Sequence, residues 1–172
     1  AKKALSRVGK VAPLKPAKAK RVPAREVRVK AVAKPVQQVN LTVGTYAFGR
    51  MDPRRHALRI YSVILGEAMS SRLFQRLREE EGLVYSVSSG AHLQADDGAF
   101  YISAGLEPGN VGKALGIIAE EMGELARKGP GAAELKRAKD YATGQFALGL
   151  EGTTQQMFWV GDSLMTRGRV VE

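Results

Sequence analysis

Apolar and polar positions along the chain recur with two different periods, and the switches between them predict the elements. Val27, Val29 and Ala31 alternate with Arg28 and Lys30, the pattern of a strand with one wet face. After Pro35, Val39, Leu41 and Val43 alternate with Asn40 and Thr42, predicting a second strand that runs toward Tyr46. The period then changes. Ala57, Ile60, Tyr61, Ile64 and Leu65 fall at i, i+3, i+4, i+7 and i+8, a single helical stripe. Asp52-Pro53 ahead of it offers an acceptor for the free N–H groups of the first turn and a proline where a helix tolerates one. Gly66 is expected to end this helix. A second, short helix follows, with Ser70 or Ser71 as cap and with Leu73, Phe74 and Leu77 facing inward. Arg72, Arg76 and residues 78–81 form its polar side. Gly82 is placed to terminate it in the left-handed conformation.

Leu83 to Leu93 and Ala99 to Leu106 read as strands joined by the turn signal Asp96-Asp97-Gly98. Pro108 starts a long helix with Val111, Ala114, Leu115, Ile118, Met122 and Leu125 on its buried side, stopped by Gly129-Pro130-Gly131. Another helix is expected from about Ala132 to Leu150, with Leu135, Ala138, Ala142 and Phe146 inward. Thr153 and Gln156 have the spacing of a capping box, and Met157, Val160, Gly161 and Leu164 would line the last helix. The order β-β-α-α-β-β-α-α-α predicts an α+β fold: a mostly antiparallel sheet with helices packed on one face.

Charge changes the picture at one end only. The 172 residues carry a net charge of +10. Residues 1–34 hold 12 Lys/Arg against one Glu, whereas the remaining 138 hold 15 Lys/Arg against 16 Asp/Glu. The basicity therefore belongs to the leading segment, which contains no aromatic residue to stack on a base. Residues 12–25, with three prolines among alternating Ala and Lys, read as an extended connector. No run of residues approaches the ~18 apolar positions of a membrane span. The absence of cysteine excludes disulfides and thiolate metal sites; it is compatible with a reducing compartment and leaves localisation open. The chain opens on Ala with no signal-peptide pattern, so an earlier native start is expected.

Candidate chemistry is sparse. His56 and His92 lack a second His or a Glu at ligand spacing, and both read as surface histidines. The glycine-rich phosphate motifs and the G-x-S-x-G elbow do not occur. What remains is Arg78 and Tyr85, seven positions apart where a charged helix hands over to an aromatic strand. The plain alternative pairs Arg78 with Glu81 and leaves Tyr85 an ordinary strand residue.

The stretch LGEAMSSRLFQRLREEEGLVYSVSS, Leu65 to Ser89, resembles the pitrilysin/insulinase-type zinc metallopeptidases, the group that includes the mitochondrial processing peptidases. The resemblance continues in the hairpin from Asp97 to Ile102, in Glu134-Leu-Lys-Arg-Ala-Lys139 and in Leu150-Glu-Gly-Thr153, and covers about residues 26–170. Such proteins look like two similar α+β halves joined by a linker, the first of which holds the inverted zinc motif H-x-x-E-H. That motif appears nowhere in this chain. The resemblance implies that residues 26–172 form the C-terminal, non-metal half. Residues 1–25 would be the tail of a preceding half and a basic linker. Zinc would be bound by the N-terminal metal-binding half or a partner subunit, as a homo- or heterodimer or in one chain. Neither a nucleic acid nor a membrane is needed as a partner.

By the same resemblance, Arg78 and Tyr85 match an arginine and a tyrosine that reach the catalytic centre from the second half. Attack on a peptide carbonyl places negative charge on its oxygen. A phenol donor aimed there favours the transition state by on the order of 3 kcal/mol, and a guanidinium can hold a substrate carbonyl with its fixed fork of donors. The chain would then supply substrate-binding and oxyanion-stabilising groups to a peptidase of peptides or unfolded segments, and be inactive alone. One departure stands out: Gly66-Glu67-Ala68 replaces the three glycines frequent in relatives, so the bend is expected to differ. A non-catalytic scaffold subunit of the same family is the alternative reading. A basic nucleic-acid-binding module is the third and least supported.

Overall fold

The computed structural model of the chain describes residues 37–170, so the strand expected at Val27–Ala31 and the connector over residues 12–25 lie outside the described residues. Three strands, β1 (Val39–Phe48), β2 (Val84–Leu93) and β3 (Asp97–Leu106), form an antiparallel sheet in the order β1-β3-β2. The central strand sets the faces. Phe100, Ile102, Ala104 and Leu106 share one side of β3 and are all buried. Opposite them stand Thr45, Val43, Leu41 and Val39 of β1 and Ala91, Ser89, Val87 and Val84 of β2. The other face carries Asn40, Thr42, Tyr46, Tyr101 and Ser103, with Tyr46 and Tyr101 exposed. One face is therefore core and the other is polar, as the alternation of the strands requires.

The hairpin turn sits two residues earlier than its sequence signal. Gln94 N–H donates to the carbonyl of Asp97 at 2.8 Å, and Asp97 and Gly98 already belong to β3. A Cβ on Gly98 would stand 2.6 Å from the Phe48 carbonyl oxygen. This glycine therefore serves close approach of the strands and not the turn.

Helix α1 (Arg55–Ser62) runs on through a wider π-helical turn, Val63–Glu67. It begins two residues later than Asp52-Pro53 predicts, after a turn closed by the Arg55 N–H on the Asp52 carbonyl at 3.1 Å, and the Asp52 carboxylate makes the expected bond to a free N–H. It accepts from the Arg54 N–H at 2.8 Å and from the Arg54 guanidinium. Nor does Gly66 end the helix. It lies inside the π-helical turn, where a Cβ would come within 3.1 Å of the Ser89 backbone nitrogen. The chain leaves the helix only at Ala68, whose φ of −87° and ψ of 154° suit any residue. Glu67 and Ala68 therefore need no glycine in their place, and Glu67 ion-pairs with Arg59.

Helix α2 (Phe74–Glu80) is π-helical and is entered through two α-helical residues, Arg72 and Leu73; α3 (Val111–Lys128) follows a single 3₁₀ turn at Pro108–Asn110; α4 (Ala132–Gly149) and α5 (Thr153–Arg167) are the last helices among the described residues. Leu65, Leu73, Leu77 and Leu106 are wholly buried, and Ile102, Ala114, Ile117 and Ile118 are buried beside them. Each such leucine contributes about 1.5–3 kcal/mol by leaving water. A second cluster joins Val63, Ile64 and Ala68 to Leu125 and Ala138. In α3, Ile117 takes the buried position expected of Leu115, which is 39% exposed.

The last two helices depart most from expectation. Phe146, Met157, Val160 and Leu164 are exposed, and Phe146 packs edge-on against Trp159 with ring centroids 5.0 Å apart. The Thr153–Gln156 capping box does not form. Gly152 is the cap residue, and the Gln156 amide donates to the carbonyl of Leu150 at 2.9 Å. No helix among the described residues is long and apolar enough to cross a membrane.

Candidate functional site

The corner between α2 and β2 is built from the inside out. Leu73 and Leu77 drive one side of α2 into the core, while Arg72 and Arg76 fasten its outer side. Arg72 donates through Nε and Nη2 to the two carboxylate oxygens of Glu134 on α4, at 2.8 and 2.9 Å. Arg76 donates to Glu121 of α3 at 2.8 Å and to Glu120 at 3.1 Å. The Glu121 side chain is only 5% exposed and also has Arg72 at 3.6 Å. Two cations thus meet a carboxylate that would be costly to bury alone. The Arg72 hydrogen bonds hold the Glu134 carboxyl below the usual carboxylate range. These partners lie 44 to 62 positions apart in sequence, so local pattern could not reveal them.

At the end of α2, Gly82 adopts φ +60°, open to glycine at no steric cost. The reversal lets the Leu83 N–H return to the Leu77 carbonyl at 2.8 Å and delivers the chain into β2 one residue before Tyr85. The sheet register breaks there: Val84 pairs with Leu106 and Ser86 with Gly105, leaving Tyr85 as the extra residue of a β-bulge. A bulge kinks its strand and re-aims a side chain. Tyr85 is 56% exposed, and its phenol donates to Glu107 Oε1 at 2.9 Å. That hydrogen bond, followed by the charge of Glu107, raises the phenol above its ordinary pKa. Glu107, at the exit from β3, is the site residue that the sequence pattern misses.

Arg78 is exposed on the last turn of α2, with its guanidinium 5.1 Å from the centroid of the Phe74 ring one turn earlier. Glu81 is taken by Lys113 and not by Arg78. No hydrogen bond joins Arg78 to Tyr85; they flank the same connector, each with a different partner. Neither lines the apolar groove of about 690 Å³ among Phe48, Ile60, Tyr61, Leu125 and Leu135. His56 and His92 are both exposed. Among the described residues, no group of three His, Cys, Asp or Glu side chains is arranged to hold a metal ion. These residues do not fit zinc.

The family model of the peptidase M16 inactive domain matches residues 1–141. An uncharacterized zinc protease of Streptomyces coelicolor is 36% identical over 156 residues, 91% of this chain and 34% of that protein. An uncharacterized zinc protease of Mycobacterium bovis is 34% identical over 83% of this chain and 32% of its own length. Among solved structures, a peptidase M16 inactive domain from Pseudomonas fluorescens is similar at 28% identity and a TM-score of 0.62, over 64% of this chain and 27% of that one. The chain belongs to the peptidase M16 family, as a domain of its inactive type. It spans about a third of the length of the curated relatives it matches.

Proposed function

We propose that this chain is the non-metal half of a zinc-dependent endopeptidase, and that it presents Arg78 and Tyr85 to an extended peptide. The metal would be held by an N-terminal half or by a partner subunit. What this chain contributes is hydrogen-bond donation: the phenol of Tyr85 to the oxygen on which negative charge develops, and the guanidinium of Arg78 to a neighbouring substrate carbonyl. The observation that carries this reading is an exposed phenol carried on a bulge at the end of a pinned helix-to-strand corner. Relatives called zinc proteases and membership of the M16 family support it. Tyr85→Phe in the complete enzyme tests it. The expected result is a fall in kcat of about a hundredfold with unchanged zinc content, and an unchanged kcat removes Tyr85 from the mechanism.

A second reading, a non-catalytic scaffold of the same family, is favoured by one specific feature. The single phenolic proton of Tyr85 is already engaged by Glu107. The two readings part on the sequence of the half that completes the fold: H-x-x-E-H there supports the enzyme, and its absence supports the scaffold.

A further inference from the structure

Three bonds tie the connector between α2 and β2 to the start of α3, and they follow a regular order. Tyr85 bonds Glu107, the carbonyl of Leu83 accepts from the Asn110 side chain at 3.3 Å, and Glu81 pairs with Lys113. Residues 85, 83 and 81 thus meet residues 107, 110 and 113 in turn, the two segments running in opposite directions. The middle rung is informative. Asn110 stands at the N-cap of α3, where an Asn side chain usually accepts from the helix's own N–H groups. Asn110 closes a 3₁₀ turn with helical backbone angles and makes no such bond, and its Nδ2 donates to Leu83.

We propose that Glu107, Asn110 and Lys113 are positioning residues that fix the Glu81–Tyr85 connector, and that Glu107 holds the phenolic proton of Tyr85 until an oxyanion takes it. This rests on Tyr85 being the group that meets substrate. A phenol has one proton to donate, so any substrate oxygen competes with Glu107 for it. A neutral peptide carbonyl is a weaker acceptor than a carboxylate, whereas an oxyanion carries charge of its own. Exchange is therefore unfavourable in the ground state and favoured as charge develops, which is the difference in binding that accelerates a reaction. Asn110 and Lys113 act one step back, by keeping the bulge where Glu107 can reach the phenol.

The test is the ionisation of Tyr85, followed by ultraviolet absorbance as the difference between the chain and its Tyr85→Phe variant. In the parent, Tyr85 should ionise above the ~10 of an ordinary phenol. Glu107→Gln should shift that midpoint down, and Asn110→Ala, which removes no group touching Tyr85, should shift it in the same direction. An unmoved midpoint in either variant, with the circular dichroism of the parent retained, overturns the proposal. If a variant fails to fold, the parent alone still decides. A Tyr85 midpoint in the parent no higher than that of an ordinary phenol also overturns it. Loss of activity in Tyr85→Phe tests the catalytic reading separately, since the titration does not depend on turnover.

Discussion

Arg72 holds Glu134 by two parallel hydrogen bonds of 2.8 and 2.9 Å, joining helix α2 to helix α4 across 62 positions of sequence. The same guanidinium lies 3.6 Å from Glu121 and 3.7 Å from Glu124, so one side chain serves three helices. Replacing it by Met keeps the length and removes the charge. Glu121 then depends on Arg76 alone, and Glu134 loses its cation. The expected cost is about 2–3 kcal/mol, below the ~3–5 kcal/mol of a fully buried pair because Arg72 keeps some contact with water. Urea denaturation checks it: the midpoint should fall with an unchanged slope.

The acid limb of stability follows from the same carboxylates. Hydrogen bonds from Arg72 lower the Glu134 carboxyl, those from Lys128 lower Glu124, those from Lys113 lower Glu81, and Arg54 takes Asp52 down to about 2. A carboxyl depressed in the folded state contributes stability above its unfolded value, near ~4, and loses it as pH falls through the folded value. Stability should therefore be level above about pH 5 and decline from about pH 4 toward pH 2. Arg72 and Arg76 stay charged throughout this window and add no slope. Circular dichroism against pH should show the decline, and Glu134→Gln should make it shallower.

The sheet and the first two helices were legible because each carries its own period: Phe100, Ile102, Ala104 and Leu106 alternate, and Leu73 and Leu77 lie one turn apart, and all are buried. Elimination left Arg78 and Tyr85, and only the family resemblance gives the pair a role. Glu107 and Arg72 were not legible, because their partners lie 22 and 62 positions away, and separation of that kind leaves no local trace. Glycine misled twice. Gly66 reads as a helix end and Gly98 as a turn, yet each makes room for a neighbouring strand. Ser71 shows the reverse. Its carbonyl accepts the first bond of the helix, from Gln75 N–H at 3.0 Å, while its buried hydroxyl makes no cap.

Helix α5 gives the sharpest contrast between period and packing. Met157, Val160 and Leu164 fall on one helical face, yet they are 60%, 39% and 49% exposed. Period reports that a face is apolar; it does not report what covers it. Met157→Gln and Leu164→Gln in this chain should therefore shift stability by no more than about 0.5 kcal/mol. Leu77→Ala, at a site with no exposure, should cost about 2–5 kcal/mol. Denaturant midpoints of the three variants order them.

Gly66 and Gly82 should fail differently when a methyl group is added. In Gly66→Ala the Cβ would meet the Ser89 backbone and side chain at 3.0–3.1 Å. The π-helical turn must then move off β2, with an expected loss of about 1–3 kcal/mol. In Gly82→Ala nothing lies within 4 Å, and the cost is the left-handed backbone alone, about 1–2 kcal/mol. The two also part by location. Gly82→Ala alters the connector and should change the Tyr85 ionisation, whereas Gly66→Ala should leave it in place.

Arg78 and Tyr85 have separate partners in the free chain, Phe74 for one and Glu107 for the other. The coupling to test is one through a bound peptide that both side chains touch. In the complete enzyme, Arg78→Lys keeps the charge but loses the planar fork of donors, and should raise KM more than it lowers kcat. Tyr85→Phe should act on kcat. If both groups hold one substrate, the double variant should depart from the sum of the singles in kcat/KM by about 0.5–3 kcal/mol. The same cycle read as unfolding free energy should be additive within about 0.5 kcal/mol, because each side chain has a different partner in the free chain. Additivity in both measurements would separate Arg78 from the site of Tyr85, and non-additivity in folding would make the pair structural.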